Sequence, residues 1–382
     1  MEPTALERSQ VTPPCADELA GRFPLTPNPH PASEERYRRI MTDLRFGVDF
    51  TDHLVHAHWS AGEGWSGRET RAYGPISLSP AATIFHYGQE CFEGIKAYRH
   101  DDGSIWTFRP QFNEARFAQS ARRMCLPELE PGDFVAALVD LVRADAKWVP
   151  TDPGSSLYLR PFMIGTEPHL GVHPAAEVDF YCIASPSGAY FSSGFEPVSI
   201  GLVRDYHRAG PGGTGAAKTG GNYAASLLPQ KLAAEEGYAQ VCFLDVTGRY
   251  LEELGGMNLF VVGEDNTVLT PDVSGGTVLE GGTRSSILTL LADRGYDVRT
   301  SDIALDDLLD GIASGRYTEM FACGTAAVVT PIGCLGVDGQ RIEIPTGEVT
   351  RGVYDELTGI QLGRVEDRYG WTYKICDGEN DR

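Results

Sequence analysis

Short runs of alternating apolar and polar residues, broken by turn residues, fill most of the chain, and helical spacing enters only in blocks. Lys96–Arg99 and Ser104–Phe108 flank Asp102-Gly103, a pair suited to the type I′ turn of a two-stranded hairpin. Asn113 can cap a helix running through Cys125. Asp133 can cap another that carries Phe134, Leu138, Leu141, Val142 and Trp148 on one face. Leu157–Ile164 and Val178–Ala184 read as strands, as does Val198–Arg204. A helix is expected from Tyr223 to Glu236, kinked at Pro229, where a backbone donor is missing. Two further hairpins follow. Gln240–Asp245 meets Tyr250–Glu253 around Thr247-Gly248, and Asn258–Val262 meets Val268–Thr270 around Asp265-Asn266. Thr283–Arg294 reads as a helix entered through Gly281-Gly282, and Glu319–Val329 as a strand interrupted at Gly324-Thr325. No internal repeat is visible. Without a continuous strand–helix alternation the class is α+β.

Length changes this picture only by dividing it. The 382 residues suit two domains rather than one small core. We place a loosely ordered lead-in at 1–33, rich in proline and polar residues, and a small α/β domain at 34–186. A linker at 187–197 and a larger domain at 198–382 complete the division. A hydrophobic share of 42% and a charged share of 22% are ordinary for a globular protein. The net charge of −21 makes nucleic acid and anionic membranes poor partners, so any anionic ligand needs local cations. The eight cysteines are scattered, without a C-x-x-C pair or ligand-like histidine spacing. That favours a reducing cytoplasm over a disulfide framework or a structural metal. No leader-like or membrane-spanning apolar run is expected.

Several residues could carry chemistry. Lys218 lies in Gly212-Gly-Thr-Gly-Ala-Ala-Lys-Thr-Gly-Gly-Asn-Tyr223, among residues that permit close backbone approach. It is either the solubilising residue of a flexible loop or an amine that reaches a buried carbonyl and acts as a nucleophile. Gly282-Thr283 at a helix start, and Thr325 in Cys323-Gly-Thr-Ala326, offer amides to a phosphate, or simply cap and turn the chain. Arg116, within the Asn113 helix, could add a cation or face solvent. Strand periodicity sets Tyr158, Arg160 and Phe162 on one face, which fits either a carboxylate-binding wall or an edge strand with a snorkelling arginine. Glu252 and Glu253 are adjacent, so alternation sends only one of them into a site.

Together these pieces resemble the branched-chain amino acid aminotransferases, pyridoxal phosphate enzymes of fold type IV. The resemblance rests on Gly-Ala-Ala-Lys218-Thr-Gly-Gly-Asn-Tyr223, Leu251-Glu-Glu253-Leu-Gly-Gly-Met-Asn-Leu-Phe260, Leu279-Glu-Gly-Gly-Thr283-Arg284 and Gly324-Thr325-Ala326-Ala327. His86-Tyr87-Gly88, Cys91-Phe-Glu-Gly-Ile-Lys-Ala-Tyr98, Arg109-Pro, Tyr158-Leu-Arg160-Pro and Gly363-Arg-Val-Glu-Asp-Arg-Tyr-Gly-Trp371 extend it over roughly residues 45 to 375. The resemblance implies a homodimeric enzyme with pyridoxal 5′-phosphate on Lys218. That enzyme moves an amino group between L-leucine, L-isoleucine or L-valine and 2-oxoglutarate, with L-glutamate as the other product, in a ping-pong cycle. It further implies that Lys218 forms a Schiff base and shuttles a proton, that Glu253 meets the pyridine nitrogen, and that Tyr223 bonds the ring hydroxyl. Arg116, Gly282, Thr283 and Thr325 would hold the phosphate. Tyr158 and Arg160, with amides after Gly324 such as that of Ala326, would receive carboxylates. Tyr87, Phe92, Tyr190 and a partner's Leu170 and Val172 would wall an apolar pocket. Gly282 stands where many relatives carry a branched aliphatic residue, and Gly256 where some carry threonine. Ala327 and Thr330 occupy the places of a redox C-x-x-C found in the mammalian enzymes. Same-fold alternatives are D-amino acid aminotransferase and aminodeoxychorismate lyase, and a catalytically silent ligand-binding relative is a reading of another class.

Overall fold

In a computed structural model the chain is described over residues 5–188 and 195–378. It divides into two compact units, Met1–Tyr190 with Gly359–Arg382, and Phe191–Thr358.

The first unit is built on an eight-stranded sheet. Its main path runs Thr372–Cys376, Ile105–Phe108, Ile95–Arg99, Ser156–Gly165, Glu177–Ser187, His53–Ser60 and Gly64–Ala72, with Glu90–Phe92 also pairing to Ser156–Gly165. All of these pairs are antiparallel. Helices Pro110–Arg123 and Asp133–Ala144 supply Phe117, Phe134, Leu138 and Leu141 to the core against Phe180 and Leu157. Proline at the first helical position of Pro110–Arg123 needs no amide there, which is why the helix opens three residues before the expected Asn113 cap.

Two expectations change here. The lead-in to residue 33 is not loose over its described part, because Leu19 and Phe23 are fully buried and Phe23 packs at 6.4 Å from the Phe180 ring. The second domain also does not run to residue 382. Thr372–Cys376 pairs with Ile105–Phe108, so the end of the chain belongs to the first unit.

The second unit holds a ten-stranded sheet. Its path runs Asp297–Thr300, Thr267–Thr270, Asn258–Gly263, Tyr317–Gly324, Val328–Val337, Val198–Val203, Gln240–Leu244, Tyr250–Leu254 and Ile303–Ala304, with Gln340–Glu343 alongside Val328–Val337. The stretch expected to be one interrupted strand is a tight hairpin. Tyr317–Gly324 returns as Val328–Val337, with Val328 at φ 61° and Gly324 opposite Val328. Helices Gly220–Glu235 and Gly282–Asp293 begin at the two glycine pairs, each a little earlier than expected. Among the described residues no helix is long and apolar enough to cross a membrane.

Removing the Phe23 ring strips a buried aromatic from the first core. Phe23→Ala should cost about 3 kcal/mol, seen in urea unfolding as a lower midpoint with an unchanged slope.

Candidate active site

Lys218 stands two residues before helix Gly220–Glu235, on a loop that is tied down rather than flexible. Asn222, in the helix's first turn, donates to the carbonyls of Thr214 and Ala217 at 2.8 and 2.9 Å, and the Thr214 hydroxyl donates back to it at 2.7 Å. With its backbone fixed, half-buried Lys218 donates from Nζ to the Tyr223 hydroxyl at 2.7 Å, and the amine also lies 5.2 Å from the centre of that ring. A Cβ at Gly256 would touch the Tyr223 ring at 3.6 Å, so this departure loosens the space beside the lysine's partner.

Glu253 is buried on strand Tyr250–Leu254. Its Oε1 accepts the Leu279 amide at 2.7 Å and meets Arg208 Nη1 at 2.9 Å. Among the described residues Oε2 takes no hydrogen bond, which leaves that oxygen to a ligand donor. Burial raises the Glu253 pKa, while Arg208 and Lys218 pull it back. Simple alternation would have turned Glu252 away, yet Glu252 is also buried and also feels Arg208. The reason is a register shift against Gln240–Leu244 between Leu251 and Leu254, which leaves three steps facing two. Glu252 Oε2 is buried without a hydrogen-bond partner, and burial raises its pKa.

Gly282 and Thr283 form the first turn of helix Gly282–Asp293. Gly281 before them is sterically required, since a Cβ there would come within 2.1 Å of Asn258 Oδ1. Asn258 in turn donates to the Leu279 carbonyl at 3.0 Å, so the loop carrying Leu279 and Gly281 is fixed at one strand end. Thr325 and Ala326 lie in the turn of the Gly324–Val328 hairpin.

The carboxylate-binding candidates belong to the first unit. Strand Ser156–Gly165 is paired on both sides, which removes the edge-strand reading of Arg160. Arg160 Nη2 donates to the Tyr158 hydroxyl at 3.0 Å, and the guanidinium covers the Phe92 and Tyr158 rings at 4.8 and 5.3 Å. Its buried Nε has no partner, so the fork retains an unused donor. The Tyr158 hydroxyl occupies the space over Gly94, where a Cβ would lie 2.0 Å from it. Arg116 is buried, its Nε and Nη2 gripping the two oxygens of fully buried Glu93 at 2.7 and 2.8 Å, and Asn113 donates to the same carboxylate at 2.7 Å. Tyr87 is exposed and donates through its hydroxyl to the Leu170 carbonyl. Leu170 and Val172 are exposed at 63% and 84%. Tyr190 lies outside the described residues.

Two residues escaped sequence reading. Arg208 is buried beside Glu253, with nothing in its local sequence to mark it. Lys96 lies in the resemblance motif, but its position directly opposite Tyr158 becomes visible only from strand register.

A profile of the amino-transferase class IV family matches residues 90–333. A probable branched-chain-amino-acid aminotransferase of Streptomyces coelicolor is 49% identical over 357 residues, spanning 92% of this chain and 98% of that protein. The chain belongs to the class IV aminotransferases. Within them it groups with the branched-chain-amino-acid aminotransferases. The one from Mycolicibacterium smegmatis is 48% identical, with coverage of 92% and 98%. The crystal structure of the Escherichia coli branched-chain amino acid aminotransferase matches at TM-score 0.70 and 30% identity, covering 84% of this chain and 99% of that one. The T.th. branched-chain amino acid aminotransferase complexed with N-(5′-phosphopyridoxyl)-L-glutamate matches at TM-score 0.68 and 27% identity, covering 84% and 98%. The expected fold type IV, α+β architecture is thus the observed one.

Lys96 of this class IV aminotransferase gives a pH test. Burial holds its pKa down to about 8, so the charged form is disfavoured in the folded state. Wild-type stability should therefore rise as pH climbs from about 8 toward the ordinary lysine range near 10.4. Lys96→Met should lose that rise, measured by urea unfolding at several pH values.

Proposed function

We propose that this chain is a pyridoxal 5′-phosphate-dependent branched-chain amino acid aminotransferase. It would pass the amino group of L-leucine, L-isoleucine or L-valine to 2-oxoglutarate, leaving L-glutamate, in two half-reactions at one site. The observation that carries the reading is the second unit's arrangement of three groups on fixed backbone. Lys218 Nζ is hydrogen-bonded to Tyr223 at 2.7 Å, and the buried Glu253 carboxylate beside them keeps one oxygen unclaimed. These residues fit the cofactor. Lys218 would hold its aldehyde carbon, Tyr223 the ring hydroxyl and Glu253 the protonated ring nitrogen. Thr283, Thr325 and the first amides of helix Gly282–Asp293 suit its phosphate. Bound there, the cofactor would supply an electron sink for the bond broken at the donor's Cα.

The protein's own part is acid–base work and positioning. Lys218 Nζ takes the proton from Cα and returns it, and the Tyr223 hydroxyl holds the amine in line between transfers. Burial raises the Glu253 pKa, and Arg208 and Lys218 oppose that rise in favour of the charged form. Arg160, with an unused Nε and a bond to Tyr158, is suited to a planar carboxylate, while the Phe92 ring beneath it is suited to an aliphatic side chain. One wall would thus accept both glutamate and leucine.

We further read the enzyme as a cytoplasmic homodimer. The exposed Leu170 and Val172 are consistent with a loop that a second copy covers. D-amino acid aminotransferase and aminodeoxychorismate lyase activities are the alternatives within the fold.

Loaded wild type should show the visible absorption of a lysine-linked cofactor, and Lys218→Ala should lose it together with at least about 1,000-fold in kcat. A donor panel with 2-oxoglutarate should favour leucine, isoleucine and valine. Turnover of only aromatic or D-amino acids would reject the branched-chain assignment.

A further inference from the structure

Arg208 has a role that the Lys218 motif does not reveal. It is 4% exposed, and its neighbours come from three separate segments. Nη1 meets Glu253 Oε1 at 2.9 Å and donates to the Thr277 carbonyl at 2.9 Å and the Gly215 carbonyl at 3.3 Å, while Nη2 reaches Gly215 at 3.4 Å. Gly215 belongs to the loop that carries Lys218. Thr277 belongs to the loop that carries Leu279, whose amide binds the same Glu253 oxygen. The two loops touch backbone to backbone, since a Cβ on Gly215 would come within 2.5 Å of the Thr277 carbonyl oxygen.

We infer that Arg208 is a positioning residue for cofactor binding. It occupies Glu253 Oε1, so that Oε2 alone is presented to the ring nitrogen, and it locks the lysine loop to the loop leading into helix Gly282–Asp293. This rests on the pyridoxal phosphate reading above. A planar guanidinium is suited to the task because it can address a carboxylate and two carbonyls at once, which an ammonium cannot do with the same fixed angles. A charge is also needed. Glu253 is faced by Arg208, Lys218, Arg284, Glu252 and Cys323, and burial already raises its pKa, with Arg208 the largest opposing influence. Without Arg208 the carboxyl would hold its proton to higher pH and stop serving as an acceptor for a protonated ring nitrogen.

The test is a double-mutant cycle on the full-length chain, with two readouts. The first is the Tm of apo-protein. Arg208→Met should lower it by leaving Glu253 buried without its cation, and adding Glu253→Gln should recover part of that loss. The second is the dissociation constant for pyridoxal phosphate. Each single variant should weaken binding at least about tenfold, and the double variant should be no worse than Glu253→Gln alone. As pH is lowered, binding to Arg208→Met should also begin to weaken at a higher pH than binding to wild type. Arg208→Lys keeps the charge and loses the fork, so it should fall between wild type and Arg208→Met. It carries the same comparison if the methionine variant does not fold. Multiplicative losses in binding, or no Tm recovery in the double variant, would overturn the inference. Wild-type protein that bound no pyridoxal phosphate would instead reject the cofactor reading, and the Tm cycle would still decide whether Arg208 compensates Glu253.

Discussion

A carboxylate taken out of water must be compensated, and in the second unit that requirement organises the surroundings of Glu253. One oxygen is ion-paired with a guanidinium and accepts a backbone amide from a different loop. Those partners cannot sit where they do unless the chain on either side is held. Hence Arg208 also binds Gly215 and Thr277, and Asn258 fixes the Leu279 carbonyl. Lys218 inherits its position from the same set of contacts, because the loop before it is pinned by Asn222 on one side and Arg208 on the other. The Lys218 backbone is therefore placed by contacts made elsewhere on its loop.

Much of this was legible in the sequence, for local reasons. Hairpins announced by Asp102-Gly103 and Asp265-Asn266 form where expected, because the turn residues decide the backbone there and Asn266 adopts φ 62°. Lys218 and Tyr223, five residues apart, meet because a helix start lies between them. What stayed hidden depends on distant chain. Arg208 reads as an ordinary surface-type residue until segments around 215, 253 and 277 converge on it. Glu252 defeats alternation through a register shift that no local pattern marks. The strand at 317–324 and its return at 328–337 read as one strand interrupted at Gly324-Thr325, because Thr325–Ala327 holds no glycine and Val328 accepts the positive φ instead.

The first unit answers a different constraint. Against a net charge of −21, an anionic substrate needs cations that the global field does not supply. Under the proposed function Arg160 would meet that need, on a central strand with aromatic rings against its guanidinium, while Arg116, on a neighbouring helix, is a second buried cation, paired with Glu93. Edge placement would have let Arg160 turn to water. Interior placement fixes the direction of both, and for Arg116 the Glu93 carboxylate neutralises the charge.

The pairing of Thr372–Cys376 with Ile105–Phe108 has a consequence for biosynthesis. The second unit, Phe191–Thr358, is continuous in sequence, whereas the first needs residues from both ends of the chain. On the ribosome, the half translated first is thus the half completed last. Its exposed sheet margin at Ile105–Phe108 waits through the synthesis of the entire second unit for the strand that covers it. That interval is where a chaperone would find this protein most vulnerable to self-association.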